Sequence, residues 1–252
     1  MAKPLIEVRN IVNRFGNHLV HDGVNFDIYP EEVVGVVGGN GTGKSVLLRT
    51  IIGLHRPTSG TVLIGGKDIA TPEPDAFREV QKIWGVLFQK GALFSNLTVI
   101  ENISFQLREQ TALSEGDIYS LARMKVELVG LPANAGHKFP SELSGGMIKR
   151  AALARAIALD PKILFLDEPT AGLDPISAES FDQLIRDLVD HIGISVFMIT
   201  HDLDSLFSIC DRITVLVVRK MRSCTLQDHL KDKHPWLQEY FHGKRARAVA
   251  RG

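Results

Sequence analysis

Cysteine is scarce in this chain of 252 residues: Cys210 and Cys224 are the only two, and they form neither a C-x-x-C pair nor a paired framework. That excludes a disulfide-built scaffold and fits a reducing compartment. Net charge is missing too, because 29 Lys and Arg balance 29 Asp and Glu. Without an overall field, non-specific polyanion binding is not the main business of the protein. Long apolar runs are also lacking. The longest, such as residues 213–218, fall far short of the ~20 residues that span a bilayer. Met1, Ala2, Lys3, Pro4, Leu5, Ile6 and Glu7 contain no long apolar stretch, so no signal peptide is predicted. Internal repeats, heptad runs and low-complexity tracts are absent. What remains is a chain long enough for one large domain, or for a core with an inserted lobe. The expectation is a soluble protein whose link to a membrane runs through a partner.

Residues 5–35 read as short strands with turns, at Ile6-Glu7-Val8 and at Val24-Asn25-Phe26-Asp27-Ile28, and residues 61–64 do so before Gly65-Gly66. Buried-type strands follow at residues 84–88, 163–166 and 194–199. Their near-continuous apolar character is what a parallel sheet covered on both faces requires. Residues 97–160 are mostly helix-like, with Leu121, Met124, Leu128 and Val129 at helical spacing. The predicted fold class is therefore α/β: a mostly parallel sheet, a small antiparallel β section at the N-terminus and an inserted helical lobe. From about Lys220 the pattern weakens. The end of the chain carries Lys244, Arg245, Arg247 and Arg251, with no acid after Glu239. It reads as a solvated tail, with contact to a second subunit or to anionic headgroups as the weaker alternative.

The chemistry begins where the apolar run Val33-Val34-Gly35-Val36-Val37 leads into Gly38, Gly39, Asn40, Gly41, Thr42, Gly43, Lys44 and Ser45. An apolar helix pattern follows, at Val46, Leu47, Leu48, Ile51 and Ile52. Strand, glycine-rich loop and helix in that order are the context of a phosphate-binding loop. Gly41 and Gly43 are able to take positive φ, so successive N–H groups turn inward around an anion. A helix starting near Lys44 adds its positive end. Lys44 then reaches the terminal phosphates, and the Ser45 hydroxyl ligates Mg2+. A nucleoside triphosphate is the predicted ligand.

A flexible turn would explain that loop alone, but not the second feature. Asp167 and Glu168 directly follow the apolar run Ile163-Leu164-Phe165-Leu166. Adjacent carboxylates leaving a buried strand are costly unless a cation or a reacting group occupies them. The natural assignment is Asp167 toward the Mg2+ shell and Glu168 as the base that polarises the attacking water. His201 follows Ile199-Thr200 at the end of the next apolar run, on the edge where α/β ligand sites form. It reads as a γ-phosphate sensor, although a lone histidine is more often structural. Gln89 ends Val86-Leu87-Phe88 on the same edge, within reach of Mg2+ or water; by itself it would be an ordinary loop residue. Leu143-Ser144-Gly145-Gly146-Met147 opens a helix running to Leu159. Ser144 reads as its N-cap and the two glycines leave N–H groups accessible, making either a second anion site or simply a capped helix.

The order of phosphate loop, Gln89, Leu143-Ser144-Gly145-Gly146, Leu166-Asp167-Glu168-Pro169 and Thr200-His201-Asp202 resembles the ATPase subunits of ATP-binding-cassette systems, over roughly residues 5–216. The resemblance implies a P-loop NTPase domain over residues 5–220, with a helical subdomain of residues 97–160 inserted, and a C-terminal extension of residues 221–252. It implies ATP and Mg2+ as cofactors, with residues 38–46 lining the nucleotide, Val46 included, and Phe15 stacking on adenine. Phe15 alone would read as core. By the same resemblance, Ser144, Gly145, Gly146 and Met147 of one subunit close over ATP held by the Lys44 loop of a second. Asp174, in Ala171-Gly172-Leu173-Asp174, lies between the two sites. One chain carries one of each half-site, so a head-to-tail pair is implied.

A narrower resemblance is to the Mla/Mce-type lipid-transport ATPases. It is carried by Phe88-Gln89-Lys90-Gly91-Ala92-Leu93-Phe94-Ser95-Asn96-Leu97-Thr98-Val99, by Pro140-Ser141-Glu142-Leu143-Ser144-Gly145-Gly146-Met147 and by residues 234–243. It implies a homodimeric ATPase powering phospholipid transport, held at the cytoplasmic face of the bacterial inner membrane through a membrane-spanning permease. Residues 89–99 would face that permease. An MCE-domain lipid-binding protein is the second implied partner, and a STAS-domain protein a further one. Three departures stand out. Met147 replaces the broad family's Gln, as the Mla/Mce branch does. Val46 replaces a hydroxyl residue, which removes one side-chain phosphate contact but not the N–H. Residues 217–226 lack the glycine usual in the last hairpin, which leaves that turn without its expected residue.

Other function classes compete. Cassette ATPases acting on nucleic acid usually carry a coiled-coil or zinc insertion or a second ATPase half, none of which is present. A cell-wall-regulating ATPase shares the core and also sits on membrane partners, and an ATPase serving another transported substrate stays open. A nucleotide-binding scaffold without turnover is opposed by the joint presence of Lys44, Asp167, Glu168 and His201.

Overall fold

The structure, a computed structural model, describes residues 3–69, 79–224 and 234–242. The basic tail and residues 225–233 lie outside the described residues. The chain divides into two compact units, Met1–Thr71 with Ile199–Gly252, and Pro72–Met198.

The first unit opens with β1 (Ile6–Phe15) and β2 (His18–Ile28), joined by a tight turn and paired antiparallel. With β4 (Ser59–Ile64) and β5 (Lys67–Asp68) they form a four-stranded sheet in the order β2-β1-β4-β5. Along β1 the buried face is first Ile6 and Val8, then Ile11 and Asn13. The register shifts between Val8 and Ile11, where Asn10 takes φ +52°. One irregular residue thus moves the inward face from even to odd positions and carries the polar Asn13 into the interior. The apolar run of residues 33–37 is β3 (Val33–Val37), buried throughout. It pairs parallel with β9 (Arg212–Val217), and β9 pairs antiparallel with β10 (Lys220–Cys224). Helix α1 (Lys44–Ile51) follows β3 after the glycine loop. Helices α6 (Leu203–Ile209) and α7 (Pro235–His242) put Leu206, Leu237 and Phe241 into one cluster with Val37, Ile213, Val215 and Val217.

The last hairpin forms without its glycine. Val218 and Arg219 take φ +49° and +66° in the two-residue connection from β9 to β10. That is the pattern of a type I′ turn, here built from residues that resist it.

The second unit contains β6 (Trp84–Leu87), parallel to β7 (Ile163–Asp167), with β8 (Ser195–Ile199) on the other side of β7. The fold is mixed α/β, with the expected antiparallel N-terminal sheet. The helical stretch of residues 97–160 is realised as α2 (Val99–Gln110), α3 (Glu115–Leu128) and α4 (Gly145–Ala156), each starting at a side-chain cap: Thr98, Ser114 and Ser144. Helix α5 (Pro175–Ile192) is capped by Asp174. The helical reading of α3 holds, and of the four apolar residues at helical spacing Val129 is fully buried. Ile118, Ala122, Lys125 and Val126 are buried, whereas Met124 and Leu128 are exposed. Lys125 is accommodated there by an ion pair with Asp160, which is the condition for burying an ammonium. The buried Asn102 of α2 fastens the segment before it. Its amide accepts from Phe94 N–H at 2.8 Å and donates to the carbonyls of Phe94, Leu97 and Thr98 at 2.9–3.1 Å.

Candidate functional site

In the first unit the glycine-rich loop joins the end of β3 to the start of α1. Its shape is set by the chain's own polar groups. Lys44 Nζ donates to the carbonyls of Gly38 and Gly39 at 2.7 and 3.1 Å, and Thr42 Oγ1 donates to Gly39 O at 2.9 Å. Lys44 is only 8% exposed. Gly41 and Gly43 take φ +76° and +100°, the left-handed conformation expected of them. Gly43 is constrained twice over, since a Cβ there would stand 2.4 Å from Val20 Cγ1. Gly43 caps α1 with no side-chain bond, and no acid lies in the first turn. The longer helices α2, α3, α4 and α5 all have a capping side chain. No side chain caps the start of α1, and a helix start of that kind suits an anion. The loop fits a polyphosphate by that test.

Behind the loop lies a buried polar set that sequence reading missed. His21 and Asn13 are fully buried. Asn13 Nδ2 lies 2.9 Å from His21 Nδ1 and donates to Thr50 Oγ1 at 2.9 Å, while Thr50 Oγ1 donates to Val46 O at 2.9 Å. Strand β1 is thereby tied through β2 and α1 to the loop. Burial pushes His21 down to about 4.

His201 stands beside the same loop. The Thr200 N–H donates to Val36 O at 3.3 Å, which lays the chain before His201 along the end of β3. Its imidazole is held below the ordinary histidine range, first by burial and then by the Lys44 charge. A neutral imidazole near the Lys44 ammonium is suited to donate a hydrogen bond to an incoming phosphate. Phe15 is not core: it is 48% exposed and stacks on His55 at 4.8 Å, offering a ring face to a planar ligand.

In the second unit, Asp167 and Glu168 emerge from β7 half-buried, as the sequence requires, and Gln89 follows β6, exposed. Glu168 takes φ +49°. Ser144 caps α4, accepting from Met147 N–H at 3.3 Å, and space around Gly145 is open, with no heavy atom within 4 Å of an added Cβ. A cavity of about 330 Å3 lies against this helix start, lined in part by Ser144, Gly146, Met147, Leu173 and Ser177. Asp174 borders it in sequence and accepts from Ser177 N–H and Oγ at 3.0 and 2.6 Å; those bonds hold its carboxyl below the usual range. Among the described residues no group of three or more His, Cys, Asp or Glu side chains could hold a metal by itself. Mg2+ takes one or two protein oxygens alongside phosphate oxygens and water, so hydroxyl, amide and carboxylate donors suit it. Ser45 in the first unit, and Asp167 and Gln89 in the second, each carry an oxygen donor of that type.

A family profile described as ABC transporter matches residues 21–171. The chain is 39% identical over 221 residues to the intermembrane phospholipid transport system ATP-binding protein MlaF of Haemophilus influenzae, covering 88% of this chain and 83% of the relative. It is 38% identical over 241 residues to the probable ribonucleotide transport ATP-binding protein mkl of Mycobacterium leprae, covering 95% and 69%. Its fold matches the ATP-binding cassette MJ0796, seen as a dimer in a post-hydrolysis state bound to ADP and Pi, with TM-score 0.80, 29% identity and coverage of 88% and 98%. This chain therefore belongs to the ABC transporter family, as an ATP-binding subunit that hydrolyses ATP with Mg2+.

Proposed function

We propose that two copies of this chain, paired head to tail, power phospholipid transport from the cytoplasmic face of the bacterial inner membrane. The observation that carries the reading is the pair of glycine-rich helix starts. The start of α1 lacks a side-chain cap, and the start of α4 is exposed around Gly145. One chain offers one of each, and the dimeric state of the MJ0796 cassette supports their use across a pair. The domain is residues 5–220, with residues 97–160 as the helical subdomain and residues 221–252 as an extension.

In this reading the N–H groups of residues 38–46 cradle the phosphates, Lys44 trades its two carbonyls for terminal phosphate oxygens, and Phe15 stacks on adenine. Ser144, Gly145, Gly146 and Met147 close over the nucleotide of the second copy, with Asp174 at the junction. Ser45, Gln89 and Asp167 would hold Mg2+, which would neutralise charge on the phosphates. Glu168 accepts the proton of the attacking water, and His201 donates to the γ-phosphate. ATP and water become ADP and phosphate, and the two copies separate. Closure and release are the two states that nucleotide biases.

No described helix is long and apolar enough to cross a membrane, so membrane attachment falls to a permease, faced by residues 89–99. An MCE-domain lipid-binding protein and a STAS-domain protein complete the proposed assembly. The MlaF name supports phospholipid as cargo, and the mkl name makes ribonucleotide the competing outcome. Purification from detergent-extracted membranes tests this. Recovery of a permease, an MCE-domain protein and bound phospholipid is expected; a wall-hydrolase regulator, or turnover that answers to ribonucleotide and not to phospholipid, would overturn it.

A further inference from the structure

The second unit buries two cations on a single helix, within a run of small apolar residues. Lys149 and Arg155 of α4 are 5% and 8% exposed, amid the buried Ala151, Ala152, Leu153, Ala154 and Ala156. Burial lowers both from their ordinary range, and for Lys149 the charges of Glu168 and Asp167 oppose that shift. A cation in such surroundings is tolerated only when acceptors meet it. Arg155 meets the carbonyls of Ala92 and Gly91, at 2.6 and 3.0 Å. Lys149 Nζ meets the carbonyl of Gln89 at 2.6 Å and that of Glu168 at 2.9 Å. Both residues therefore clamp residues 89–92 onto α4, but Lys149 also grips the segment after β7. One nitrogen atom joins the ends of β6 and β7.

The conformation of Glu168 gives that joint its consequence. A glutamate at φ +49° sits in the left-handed region, where a Cβ crowds the backbone. Such a conformation persists only where its surroundings over-determine it. The Glu168 carbonyl accepts from Ala171 N–H at 3.3 Å as well as from Lys149. Removing the ammonium removes one of the bonds that hold this peptide, and with it the direction in which the carboxylate leaves the backbone.

We propose that Lys149 is a positioning residue for hydrolysis: its ammonium pins the Glu168 peptide and the Gln89 carbonyl to α4, so that movement of residues 89–92 is transmitted to Glu168. The Lys149 ammonium donates to two backbone carbonyls, those of Gln89 and Glu168. It acts through Glu168, and the proposal rests on the reading of Glu168 as the base. A staple that merely stabilised the fold would lower stability without selecting the chemical step.

Steady-state ATPase kinetics, equilibrium ATP titration and thermal unfolding of the full chain carrying Lys149→Met, Lys149→Arg, Glu168→Gln or the double change test it. Lys149→Met is expected to lower kcat by about 10–100-fold, the scale of a misplaced reacting group, with ATP affinity within about threefold of wild type. Lys149→Arg keeps charge and donors and restores most of that loss. The double variant turns over no more slowly than Glu168→Gln alone, because both changes act on one group. Losses that multiply in the double variant, or ATP affinity that falls in step with kcat, would overturn the proposal. Wild-type turnover in Glu168→Gln alone would remove the base reading, and the proposal with it, without reference to Lys149. If Lys149→Met does not fold, Lys149→Gln carries the comparison: lower kcat at unchanged ATP affinity supports the joint, and unchanged kcat refutes it.

Discussion

The imidazole of His21 lies directly behind Gly43, where an added Cβ would stand 2.7 Å from His21 Nε2. The same glycine holds φ +100° at the head of α1. Steric closure and a left-handed backbone thus converge on the last residue before Lys44. Gly43→Ala is expected to cost about 1–3 kcal/mol of stability, from overpacking and backbone strain. ATP affinity should fall by at least about tenfold, since the N–H groups of the loop must reorient. Denaturant unfolding and equilibrium titration check both; undiminished affinity would show that the loop yields without losing its shape.

His21 also makes acid sensitivity predictable. Its pKa falls from 6.5 to about 4, through burial first and the His55 charge last, partly offset by the Gly43 backbone. The unfolded chain takes up a proton near 6.5 and the folded chain only near 4. Stability is therefore complete above about 6.5 and declines as pH falls from there toward 4, by up to about 3 kcal/mol, then levels off. His21→Gln, which cannot titrate, should show a shallower decline between pH 7 and pH 5. Equal slopes for both proteins would place the titration elsewhere.

Glu168→Gln keeps shape and removes the proton acceptor. ATP binding should persist while hydrolysis slows by about 10²–10⁴, the range for losing a general base. Single-turnover measurements with a pre-equilibrated nucleotide separate the two, and turnover at the wild-type rate would take that role from Glu168.

Lys44→Ala acts one step earlier. Lys44 closes the loop through the carbonyls of Gly38 and Gly39, and its charge faces the terminal phosphates in the proposed complex. Nucleotide binding itself should weaken, and a titration with undiminished affinity would count against the cradle.

Ser144 separates a cap from a contact. Its hydroxyl accepts from Met147 N–H at 3.3 Å, so Ser144→Ala should cost about 1 kcal/mol as the loss of an N-cap. In the proposed dimer it also meets the nucleotide of the second copy, and turnover should fall more than that small loss explains. Full turnover with reduced stability would leave Ser144 a cap alone.

Legibility followed sequence distance. The start of α1 at Lys44, the cap at Ser144 and the carboxylates at the end of β7 were readable because each depends on a few consecutive residues. Phe15 was not, because the shift at Asn10 and the stacking on His55 decide what a strand end buries. The burial of Lys125 in α3 was not legible for a related reason: the carboxylate that meets its ammonium, Asp160, lies 35 positions along the chain. The turn at Val218 and Arg219 lacks the residues its geometry favours, and pairing of β9 with β10 imposes that geometry.

By itself the sequence determined a strand, a glycine loop and a helix in succession, the order a phosphate-binding loop needs, because dihedral freedom and helix-end donors belong to neighbours along the chain. Only the tertiary structure decided that Lys149 meets Gln89 and Glu168, which lie 60 and 19 positions away. A buried ammonium chooses its acceptors by where packing brings carbonyls, and packing across that separation is set by how the sheet and helices close around the core, not by local pattern.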